Sequence, residues 1–151
     1  MFLSINDFTQ VIKNTPLVSL DLVITNSEGK ALLGKRNNRP AKGFWFVPGG
    51  RIMKNEPLKA AFERLTKEEL GQQMELQQAE LIGPFDHFYD DCVFGESPST
   101  HYVAIAYKLK ILGDLTNLPV EQHNSYKWFE IDELLSSAEV HEHTKWYFKG
   151  A

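Results

Sequence analysis

One cysteine, Cys92, stands in a chain of 151 residues, so no internal disulfide can form and the fold must rest on its core. No run of apolar residues reaches the roughly 18 that a membrane-crossing helix needs, and the opening MFLSINDF lacks the basic start and long apolar stretch of a secretory signal. The expected compartment is therefore the cytoplasm. Positive charge is also scarce. Sixteen Lys and Arg stand against twenty Asp and Glu, for a formal charge of −4, which argues against a nucleic-acid partner because duplex affinity draws on clustered cations. The sequence has no repeat, low-complexity tract or linker, so residues 1–151 are expected to form one domain with a small-molecule partner.

The chain reads as alternating elements. Ser4 with Asp7 three residues later is a variant capping box, and Ile5, Phe8, Val11 and Ile12 follow at helical spacing until Pro16. PLVSLDLVITN and ALLGKR read as two strands of a hairpin around NSEGK, and GFWFVPGG as a short aromatic strand stopped by Pro48 and two glycines. A helix is predicted from Glu56 to Leu70 with Gly71 as its stop. AELIGPFDHFYDD, THYVAIAYKLKI and SYKWFEI read as further strands, IDELLSS as a short helix and HEHTKWYFKG as a terminal one.

The predicted helix carries the chemistry. Gly50, Glu56, Arg64, Glu68, Glu69 and Gly71 keep fixed spacings behind a PGG turn, and the three-and-four rule places positions 64, 65, 68 and 69 on about one face. Hard oxygen ligands on a rigid helix suit Mg²⁺, completed by water and phosphate oxygens. The pattern resembles the Nudix box, G-x5-E-x7-R-E-U-x-E-E-x-G-U, with U a bulky apolar residue, and implies an α/β Nudix fold: an α/β/α sandwich with a mixed β-sheet. Two departures stand out. Leu65 replaces the first glutamate of R-E-U-x-E-E, and Thr66 and Gln72 fill apolar positions. Leucine neither ligates metal nor takes a proton, which puts attack at phosphorus in doubt.

Over nearly the whole chain, in TPLVSLD, LLGKR, NRPA, WFVPGGR, AAFERLT, HFYDD, THYV and EQH, the sequence is similar to one branch, the GDP-mannose mannosyl hydrolases, whose members lack the same glutamate. The resemblance implies one Mg²⁺ per subunit, held by the Gly49 carbonyl, Glu69 and Gln122, and displacement of GDP from the anomeric carbon with inversion, GDP-glucose being a further substrate. Glu68 is read either as a support behind the metal or as an exposed group. Glu56 is expected to pair with Arg64. His123 is the candidate general base, since imidazole titrates near neutrality. Arg36 and Arg51 are expected to stabilise the departing diphosphate. Asp21, whose burial unpaired would be costly, is expected to face the sugar. His87 is read as a sugar contact or a satisfied interstrand histidine, and Tyr102 as a phosphate contact or a packing residue. The resemblance also implies that Phe2, Leu3 and Phe8, with Arg36 and Arg64, contact the nucleotide, whereas the residues alone read Phe8 as core and Phe2 as a frayed end; the apolar MFL arm suggests a homodimer that covers it. The alternatives are a pyrophosphohydrolase releasing GMP and sugar 1-phosphate, and a non-catalytic nucleotide-sugar sensor.

Overall fold

The structure, a computed structural model, describes residues 2–113, 115, 118 and 123–149, with the side chains of His123 and Asn124 outside that description. Helix α1 spans Ile5–Asn14 and is capped by Ser4, whose side chain accepts from the Asp7 N–H. Strands β1 (Leu17–Thr25) and β2 (Ala31–Arg36) follow the expected hairpin. The aromatic stretch forms two short strands, β3 (Trp45–Phe46) and β4 (Gly49–Arg51), because Val47 and Pro48 bond sideways, to Thr144 and to the Leu22 N–H. Helix α2 covers Leu58–Leu70, beginning two residues later than expected: Pro57 is extended, and Glu56 stays in the preceding loop. Gly71 closes α2 in the left-handed region at φ 75°, which suits a residue without Cβ.

Strands β5 (Glu80–Tyr89), β6 (Thr100–Lys110) and β7 (His123–Phe129) and helix α3 (Ile131–Ser136) complete the expected order. The last helix, α4, is a single turn, Glu142–Lys145. Beyond it Tyr147 and Phe148 bond three residues back, to Thr144 and Lys145, tightening the chain into turns instead of continuing the helix.

The sheet is mixed. Its order is β3-β2-β1-β6-β5, with β1 parallel to β6, the remaining pairs antiparallel, β4 added to β1 and β7 to β2. Alternation along β1 sends Leu20, Leu22 and Ile24 to one face, against Phe62, Leu65 and Leu70 of α2. Val23 faces the other core, with Phe46, Phe129, Leu134 and Tyr147. Helices thus cover both faces. One feature of β1 positions the site: it meets β2 at Thr25↔Ala31 but β4 at Ser19–Asp21, so the sheet forks beside Asp21.

Candidate active site

Arg64 and Glu68 define the outer side of α2. The Arg64 Nε and Nη2 donate to the two oxygens of Glu56 at 2.7 and 2.8 Å, Nη2 also donates to the Arg51 carbonyl at 2.9 Å, and Nη1 donates to Glu68 at 3.1 Å. Glu56 in turn accepts from the Met53 N–H at 3.0 Å. These bonds hold Glu56 below the usual carboxylate range and Arg64 above its ordinary value, so both stay ionised. The expected Glu56–Arg64 pair is present. Arg64 was expected at the nucleotide as well; its guanidinium fastens the loop and the β4 edge to the helix and is not among the residues lining the cleft.

Consecutive helix residues are turned by about 100°, so positions 64 and 68 form one ridge and 65 and 69 the next. The expectation of one shared patch is corrected accordingly. Leu65 is 2% exposed, in the core with Leu20 and Phe62. A Cβ on Gly50 would come within 2.6 Å of Leu65 Cδ2, so the leucine packs directly beneath the Gly-Gly turn. Thr66, the second departure, is buried because its hydroxyl is used: it donates to the Glu63 carbonyl and accepts from the Met74 N–H at 2.9 Å, tying the chain after α2 back to the helix.

Glu69 is 1% exposed, and its Oε1 has no hydrogen-bond partner. Burial pushes its carboxyl up to about 7, against the Gly49 backbone and the Arg36 charge, which favour the ion. An orphaned buried carboxylate oxygen next to a backbone turn that tolerates no side chain is a donor set that fits a hard divalent cation. A Cβ on Gly49 would meet the Leu20 carbonyl at 2.3 Å and Asp21 Oδ1 at 2.9 Å. Among the described residues no group of three His, Cys, Asp or Glu side chains could hold a metal, so a complete site needs the Gly49 carbonyl, substrate oxygens or Gln122, which lies outside the described residues.

At the sheet fork lies a cleft of about 220 Å³, lined among others by Asp21, Arg36, Gly49, Arg51, His87 and Tyr102. The fold therefore brings together six of the residues singled out from sequence. Asp21 is buried and accepts from the Tyr147 hydroxyl through Oδ2. Burial raises its carboxyl to about 7, countered by the Tyr147 bond and the Arg36 charge. Arg36 donates from Nε to the Pro40 carbonyl at 2.9 Å. Arg51 lies 4.4 Å over the Phe8 ring, which also meets Phe94 edge-on at 5.7 Å, so Phe8 stands at the cleft margin. Phe2 is 96% exposed and Leu3 is exposed beside it. Burial raises the Tyr102 hydroxyl above its ordinary value. The backbone of His123 pairs with Arg36 at the start of β7, while its side chain lies outside the described residues.

His87 is 2% exposed and stacks on His143 at 4.4 Å, with Tyr89, Trp146 and Tyr147 around it. Burial, with the neighbouring His143 and His141, pushes it down to about 3, and burial takes His143 to about 4. Both rings are neutral near pH 7. The sequence reading of HEHTKWYF as a packing helix missed that this segment closes the cleft from behind. The signal available was the polar tip on each of His141, His143 and Tyr147: such a tip needs a partner when its ring is buried.

The sequence and the fold have counterparts among known proteins. The chain is 43% identical over 126 residues to the low-salt glycan biosynthesis protein Agl8 of Haloferax volcanii, spanning 83% of this chain and 78% of that one. It is 30% identical over 119 residues to an ADP-ribose pyrophosphatase of Methanocaldococcus jannaschii, spanning 69% of this chain and 65% of that one. The crystal structure of the MutT NUDIX hydrolase from Burkholderia pseudomallei superposes with a TM-score of 0.72 at 28% identity, covering 90% of this chain and 98% of the other. A family model of the NUDIX domain matches residues 15–149. That match begins before β1 and runs through the segment carrying Tyr147, so the forked sheet, α2 and the cleft all fall inside it, and the chain belongs to the NUDIX domain family.

Proposed function

We propose that this NUDIX hydrolase cleaves a nucleoside-diphosphosugar, GDP-mannose or GDP-glucose, by water attack at the anomeric carbon, releasing GDP and the inverted free sugar. The observation that carries the reading is Leu65. Where the family motif has a glutamate, an apolar side chain is packed into the core beneath Gly50, and Glu69 is the buried helix carboxylate with a free oxygen. One carboxylate on that ridge suffices to anchor a cation but leaves no second helix base for water at phosphorus. The glycan-biosynthesis name of the Haloferax relative fits a sugar-bearing substrate.

Glu69, the Gly49 carbonyl and Gln122 would hold one Mg²⁺, which supplies charge neutralisation on the leaving diphosphate. Arg36 and Arg51 face the same cleft and carry fixed positive charge toward that leaving group. Asp21 presents a carboxylate where positive charge grows on the sugar, and His87 and Tyr102 line the walls for hydroxyl and phosphate contacts. His123 takes the proton from water as its oxygen bonds to C1 and the C1–O bond to GDP breaks. Phe2, Leu3 and Phe8 form the base end. The exposed Phe2–Leu3 arm is covered by a second copy in a homodimer, and the enzyme works in the cytoplasm without a nucleic-acid or membrane partner. No helix among the described residues is long and apolar enough to cross a membrane.

Hydrolysis of GDP-α-mannose in heavy-oxygen water decides the bond. Label on C1 of mannose, with the β-anomer appearing first by NMR, is expected. Label in the nucleotide would place attack at phosphorus and favour the second reading, a pyrophosphohydrolase like the Methanocaldococcus relative. Absence of turnover would leave a sensor.

A further inference from the structure

Tyr147 comes from the turns after α4, far in sequence from the motif, and its ring is wedged in the core with Val23 and Phe46, with Phe85 edge-on at 4.9 Å. Its hydroxyl touches two cleft residues at once. It donates to Asp21 Oδ2 and lies 3.1 Å from His87 Nε2. A phenol has one proton; with Asp21 ionised that proton goes to the carboxylate, and the second contact then closes only if His87 donates from Nε2–H to the phenol oxygen. In that state the chain runs from His87 to Tyr147 to Asp21. The neutral state of His87 agrees with its burial against His143 and His141.

We propose that Tyr147 is a positioning residue: it ties Asp21 by Oδ2, leaving Oδ1 turned toward the Gly49 strand, and locks His87 in the Nε2–H tautomer on the cleft wall. The second half of the arrangement is visible at Gly49, where a Cβ would stand 2.9 Å from Asp21 Oδ1. The bond through Oδ2 thus holds the carboxylate in one orientation about its side-chain torsion, with Oδ1 beside Gly49. This role rests on the reading of Asp21 as a group that faces the sugar. The residue acts through its neighbours, so removal of the hydroxyl should change turnover more than substrate affinity.

Tyr147→Phe keeps the ring and removes only the hydroxyl. With GDP-mannose and Mg²⁺, kcat is expected to fall on the order of 10- to 100-fold, the loss of one buried bond to a charged group, with KM within about 3-fold. In a double-mutant cycle, Asp21→Asn with Tyr147→Phe should be no slower than Asp21→Asn alone, whereas multiplied losses would overturn the coupling. Nitrogen-15 NMR of the histidine rings gives a readout independent of turnover. The full-length wild-type protein should show His87 as the Nε2–H tautomer, and Tyr147→Phe should show a tautomer mixture. An Nδ1–H tautomer in the wild type overturns the proposal even if the variant fails to fold. Wild-type release of GMP would instead overturn the GDP-releasing reading while leaving the tautomer result to stand on its own, so the two failures are distinguishable.

Discussion

The outer ridge of α2 and the interior behind the cleft treat charge in opposite ways. On the outer ridge Arg64 meets both Glu56 and Glu68, and Glu56 and Arg64 are pushed further into their ionised forms. Behind the cleft, burial pushes Asp21 and Glu69 up to about 7 and His87 down to about 3, so these groups are driven toward neutrality. The two regions meet one helix residue apart, at Glu68 and Glu69. The difference separates roles: the compensated network fixes the turn in place, while the under-compensated interior keeps capacity to bind a cation or respond to a substrate's charge.

The strongest way to break that contrast is Glu69→Gln. The amide keeps the shape and removes the charge, so activity should fall about 10²- to 10³-fold with weakened Mg²⁺ affinity and an intact melting transition. A metal titration of kcat checks it, and activity near wild type would remove Glu69 from the ligand set. On the other side, Arg64→Met should act on stability first. It strips Glu56, Glu68 and the Arg51 carbonyl of their donor, for an expected loss of about 2 kcal/mol in denaturant unfolding. A loss confined to KM, with unchanged stability, would return Arg64 to the nucleotide.

The histidines sharpen the comparison through pH. A native pKa below the unfolded value makes the folded state refuse protons that the unfolded chain accepts. The stability owed to neutral His87 and His143 is therefore full above about 6.5, and it is lost as pH falls toward their native values of about 3 and 4. Between pH 7 and pH 5 this should cost about 1 to 2 kcal/mol per ring, and His143→Phe should flatten the slope by one ring's share. An unchanged slope would mean that His143 protonates freely in the native state. The smallest effect is expected at Glu68→Gln. Its carboxylate is half-exposed, so stability should move by less than about 0.5 kcal/mol and activity little. Losses equal to those of Glu69→Gln would erase the distinction between the ridges.

The order of elements was legible from the sequence because it depends on local periodicity. Leu20, Leu22 and Ile24 alternate with Asp21 and Val23 whatever they pack against, and Gly71 ends α2 through its own backbone freedom. The motif spacings likewise showed that Leu65 breaks the pattern, but they grouped 64, 65, 68 and 69 on one face where the helix divides them into two ridges. The sequence could not show that Leu65 and Glu69 turn inward, since a helical face is apolar or acidic only relative to the sheet that covers it. Nor could it show the fork at which β1 changes partner from β2 to β4, which opens the cleft beside Asp21. Tyr147 lies furthest out of reach. The distance from Asp21 to Tyr147 along the chain is 126 residues, and only the closing of the last turns over the sheet sets the hydroxyl between Asp21 and His87. Periodicity and capping act within a few residues of chain, whereas burial, and with it every shifted pKa in the cleft, exists only after distant segments have met.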